Sequence, residues 1–158
     1  MKAITNRKLY RLLDRTVAGW RDIGGWTYNV FCNSPQLRLS ERVGMKHILA
    51  ATRTAVNCLA APEDPLIIFH DGLAAWRTKP KRIRAYELSP NELERFILHE
   101  VCFRDPAGFS DNYNIMNEAG GWMITFCHEN DWFLFAPSAR ITQLRKKIKA
   151  EPAPGTLR

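Results

Sequence analysis

The residues of this 158-residue chain whose types and spacing could do chemistry are its four histidines and four cysteines. His99 and Cys102 stand three apart, and Cys127 and His128 are adjacent. Two nitrogens and two sulfurs have the composition of a tetrahedral zinc set. Zinc motifs, however, supply closely spaced pairs on turns, and neighbours such as Cys127 and His128 on a strand point to opposite faces. The HExxH spacing of zinc proteases is also missing. We expect no metal and no cofactor. His70-Asp71-Gly72 follows the apolar run LIIF, and a histidine at a strand end is well placed to act as acid or base. No second group pairs with it in the sequence. An enzyme built on His70 and His128, for instance a metal-independent ribonuclease, therefore stands as a third reading, and no catalytic residue is assigned. Cys32, Cys58, Cys102 and Cys127 each lie among apolar neighbours, which suits reduced, buried thiols and not activated nucleophiles. The patterns GxxxxGK[ST], GxGxxG and GxSxG do not occur, so nucleotide hydrolysis, dinucleotide binding and serine-hydrolase chemistry lose their usual support.

What the chain does carry is charge, and its position says more than its total. Twenty-three Lys and Arg against 16 Asp and Glu leave +7. Residues 90–137 hold only Arg95 and Arg104 against eight carboxylates, a net −6, together with nine of the chain's 17 aromatic residues. The flanks must then carry +13, of which +8 lies in residues 1–89 and +5 in residues 138–158. Phosphates would be gripped by the flanks, through Arg7, Lys8, Arg11, Lys79, Lys81, Arg82, Arg84, Lys146, Lys147 and Lys149. The acidic, aromatic block suits a protein contact instead.

The elements that position these groups follow from periodicity. Leu9, Leu12, Leu13, Val17, Trp20 and Ile23 recur at helical steps from Asn6 to Ile23, an amphipathic helix stopped by Gly24-Gly25. A short strand follows at Trp26–Cys32, and QLRLS adds a second strand or leads into a helix from Ser40 to about Ala60 that Pro62 ends. LIIFHD is an interior strand, and RIRAYEL a strand with one wet face. Ser89-Pro90-Asn91-Glu92 is a capping box opening a helix that must stop before Asp105-Pro106. YNIM, WMITFCH and WFLFA, joined by two tight turns, form an antiparallel meander covered on both faces. Ser138 caps a last helix, and residues 151–158 read as a flexible tail. One α+β domain over residues 1–150 results, with an antiparallel sheet of about five strands and three or four helices packed on it. No stretch has the apolar length of a membrane span, and the N-terminus, broken by Arg7, Lys8, Arg11, Asp14 and Arg15, is not a signal peptide. We expect a cytoplasmic protein with no membrane contact.

The order from Leu66 onward is an apolar strand, Trp76 with Lys79-Pro80, a YEL strand, a capped helix, then YNIM and WMITFCHENDWFLF. This pattern, over roughly the second half of the chain, resembles small bacterial α+β immunity proteins associated with polymorphic toxins. An aromatic-apolar strand there leads through a His-acid turn to a last strand, as His128-Glu129-Asn130-Asp131 does here. The resemblance implies a non-enzymatic domain that inhibits a toxin by binding it, with Glu118, Glu129, Asp131 and Trp132 as candidate contacts on the acidic meander. The alternative is a nucleic-acid-binding or processing protein that uses Lys79, Lys81, Arg82, Arg84, Lys146 and Lys147.

Overall fold

The computed structural model describes residues 2–16, 36–39, 45–70, 85–98, 113–127 and 131–148. Among these, seven strands form one sheet: β1 (Lys2–Ala3), β2 (Gln36–Leu39), β3 (Leu66–His70), β4 (Ala85–Leu88), β5 (Tyr113–Asn117), β6 (Met123–Cys127) and β7 (Asp131–Phe135). Their order is β1-β4-β3-β5-β6-β7-β2, and every pairing is antiparallel. Four helices complete the described elements: α1 (Asn6–Thr16), α2 (Met45–Leu59), α3 (Pro90–Phe96) and α4 (Ser138–Ile148). The class is α+β, as the sequence indicates. The described sheet has two strands more than the five expected: QLRL, read as a strand or a helix lead-in, is a strand paired with β7, and the dipeptide Lys2–Ala3 pairs with β4 at the opposite edge. The expected strand at Trp26–Cys32, the ends of the first two helices and the C-terminal tail lie outside the described residues.

Alternation along the strands sends side chains to two separate cores. Leu66 and Ile68 of β3, Ile115 of β5, Ile124 and Phe126 of β6, and Trp132 and Leu134 of β7 face α2, α3 and α4. Ile67, Phe69, Met116, Met123, Phe133 and Phe135 face α1, whose Leu9, Leu12 and Leu13 are buried against them. Each such leucine, fully withdrawn from water, contributes about 1.5–3 kcal/mol before entropy is counted. Since β5 and β7 are buried at every position, the meander is the middle of a three-layer sandwich, which is why its strands read as apolar on both alternating sets.

Local signals set the ends of the elements. Ser89 donates its N–H and its hydroxyl to the Glu92 carboxylate at 2.9 and 3.0 Å, and Pro90 begins α3 where no amide is needed. In α4 the expected cap shifts by one residue. Ser138 is already helical, and the Pro137 carbonyl accepts from Arg140 and Ile141 at 2.8 and 3.0 Å. The β5–β6 turn is held by Asn117, whose Oδ1 accepts from the Gly120 amide at 3.0 Å and whose Nδ2 donates to Asp64 at 3.3 Å. Gly120 and Gly121 take φ of 75° and 83° there, a left-handed conformation that side chains disfavour.

Candidate functional site

The first site is built on α1. Thr5 closes its N-terminal turn, accepting the Lys8 amide on Oγ1 at 3.3 Å. Packing of the three leucines leaves Arg7 and Arg11, one helical turn apart, on the exposed side. Lys8 between them reaches across the sheet edge, its Nζ lying 3.2 Å from Glu87 on β4 and 3.1 Å from Glu118 in the β5–β6 turn. The hydrogen bond to Glu118, followed by that to Glu87, raises the Lys8 pKa above its ordinary value against the opposing effect of desolvation. Between α1 and the turn runs an open groove of about 690 Å³ lined by Thr5, Arg7, Lys8, Arg11, Leu12, Asp14 and Glu118. Its rim carries both signs of charge and Leu12 is its apolar lining residue. Among the described residues Arg7 and Arg11 have no carboxylate partner.

On the opposite face, α2 crosses α4. The His47 imidazole lies 3.2 Å from the Ile148 carbonyl, and Lys147 Nζ lies 3.4 Å from the Cys58 sulfur. The outer ridge of α2 is Lys46, Ala50, Arg53 and Asn57, all exposed. On α4, Arg140, Arg145, Lys146 and Lys147 are exposed. Arg53 pairs with Glu94 of α3, and this pair bridges a smaller groove of about 290 Å³ between α2 and α3, lined by apolar Leu49, Val56, Leu93 and Ile97.

The residues expected to meet a partner are not brought together. Glu118 is exposed at the rim of the α1 groove and already paired with Lys8. Asp131 is 7% exposed and holds Arg38 at 2.7 Å, whose guanidinium lies over Phe133. Trp132 must be corrected as a surface anchor: it is wholly buried beneath α2 and donates its indole N–H to Thr52 at 2.9 Å. Thr52 in turn donates to the Ile48 carbonyl at 2.8 Å, so the hydroxyl that interrupts the apolar stripe of α2 satisfies a buried indole. Glu129, Lys79, Lys81, Arg82, Arg84 and Lys149 lie outside the described residues, as do His99, Cys102 and His128. Among the described residues, no three His, Cys, Asp or Glu side chains gather where a metal ion could be held. No described helix is long and apolar enough to cross a membrane. Lys46 and Arg53 were not singled out in the sequence as surface cations. Their seven-residue spacing on one helix face was the signal.

No family model, curated protein or solved structure matches the chain.

Proposed function

We propose that the protein is a binding domain for another protein, of the immunity type that neutralises a toxin by occupying it. The observation that carries this reading is the α1 groove, where Arg7, Lys8 and Arg11 alternate with Asp14 and Glu118 around Leu12. A rim of mixed sign complements a protein surface, while the carboxylates in it would repel a phosphate backbone. Arg7 and Arg11 offer planar donors for carboxylates of the partner. The resemblance of the second half of the chain to immunity proteins supports the same class, with Glu118 carried over as a rim charge. The contact face is then α1 and the β5–β6 turn, since the aromatic strands of the meander are interior.

The test is co-expression with the toxin-like product of the neighbouring gene, read by size-exclusion chromatography and by growth of the expressing cells. The expected result is a stable complex and restored growth, both lost in Arg7→Glu/Arg11→Glu and weakened in Glu118→Arg. A neighbour that neither binds nor is neutralised, or a complex indifferent to these changes, overturns the proposal.

A further inference from the structure

We propose that the outer surface of α2 and α4 docks the sugar-phosphate backbone of duplex nucleic acid, on the face of the sheet opposite the α1 groove. The inference does not rest on the protein-binding reading, because no residue is shared between the two surfaces.

Sign and placement carry it. The 26 residues of these two helices hold Lys46, Arg53, Arg140, Arg145, Lys146 and Lys147 and not one Asp or Glu. Of the six, only Arg53 is in an ion pair among the described residues. The His47–Ile148 and Lys147–Cys58 contacts fix α2 against α4, and exposed cations stand on both helices, Lys46 and Arg53 on α2 and Arg140 and Lys147 in one row of α4. Each row spans seven residues, about 10 Å along its helix axis, the axial length of about three nucleotides in one strand of a duplex.

Local stability does not account for all of these cations. Arg145, Lys146 and Lys147 occupy the last turn of α4, where the helix dipole favours positive charge, but Arg140 sits in its first turn, where the dipole opposes it and no acidic residue offsets it. A cation held there on a solvent face is explained by an anionic ligand. That ligand is a phosphate backbone and not an acidic protein, on the strength of the three lysines among the six, Lys46, Lys146 and Lys147: lysine is depleted at protein interfaces and contacts phosphates. It is duplex and not single-stranded because neither helix carries a Phe, Tyr or Trp on which an unpaired base could stack, and the imidazole of His47 is turned to the Ile148 carbonyl.

The experiment is fluorescence anisotropy of the full chain with a mixed-sequence duplex oligonucleotide, titrated over a range of salt. The expected result is binding at low salt that weakens linearly in log–log form. Lys46→Gln, Arg140→Gln and Lys146→Gln should each lower the slope by about 0.9. Circular dichroism confirms that these exposed substitutions leave the fold intact, and charge reversal at Arg140 and Lys146 provides a second set. Arg7→Gln/Arg11→Gln, on the other face, should leave the slope unchanged. Absence of binding at low salt overturns the proposal, as does a slope unaffected by the α2 and α4 changes. Equal competition by polyglutamate of matched charge, or preference for the single strand, overturns the assignment to duplex backbone.

Discussion

Thr52 and Trp132 show how one side chain decides whether a buried polar atom is a liability. The indole N–H lies under α2 where water cannot reach it, and the Thr52 hydroxyl is its acceptor. Thr52→Val keeps the shape and removes the acceptor, so it should cost about 1–3 kcal/mol, while Thr52→Ser should retain most of the stability. Denaturant midpoints at unchanged m-value measure both. If valine proves as stable as threonine, the hydrogen bond is not what holds the indole. At this scale the sequence was only partly legible. Thr52 was visible as a break in an apolar stripe, but its partner lies 80 residues away and no local pattern joins them. Trp132 directly follows the charged turn Glu129-Asn130-Asp131, the neighbourhood of a surface residue. Its burial follows from α2 lying over β7, which is a tertiary fact. The Arg38–Asp131 pair was hidden for the same reason, since it joins strands separated by most of the chain.

Helices and hairpins were far more legible, because their signals are local. The Ser89–Glu92 box, the glycine turn after Asn117 and the leucine spacing of α1 all appear where the sequence puts them. The dipeptide strand β1 escaped notice, since two residues have no period, and α4 includes Ser138 itself, one residue earlier than a serine cap implies. The docking of α1 leads to a pH prediction. The Glu118 and Glu87 hydrogen bonds raise the Lys8 pKa above its ordinary 10.5. A raised folded-state value means that protonated Lys8 contributes stability that is fully present below the unfolded value and lost as pH rises through the folded one. The stability difference between the native chain and Lys8→Met, followed by urea denaturation, should therefore be constant near neutrality and close in strongly alkaline buffer. A gap that persists unchanged into alkali would assign it to packing of the lysine stem instead.

At the scale of the whole molecule, the net charge of +7 resolves into surfaces set apart by the sheet. Among the described carboxylates of the acidic block, Asp131 is buried against Arg38, while exposed Glu118 and Glu94 are paired with Lys8 and Arg53. The basic flanks supply the helices that cover both faces, with α1 on one and α2 and α4 on the other. A linear charge count cannot show this division. It predicts independence: in a chain carrying Arg7→Glu/Arg11→Glu together with Arg140→Glu/Lys146→Glu, the losses of protein and of duplex binding should equal those of the separate double variants. A loss of both activities from either pair alone would mean one shared surface.

The strand order also bears on how the chain is made. β1 and β2, the first two described strands in chain order, occupy the two outer edges of the described sheet, and their partners β4 and β7 come much later in the chain. The central strands β5, β6 and β7 pair with near neighbours and can form while synthesis is still under way. Leu9, Leu12 and Leu13 of α1 pack on Ile67, Phe69, Met116, Met123, Phe133 and Phe135, so this core is completed only once residue 135 has been made. The apolar face of α1 is thus sheltered late in synthesis, which is when a chaperone would hold it.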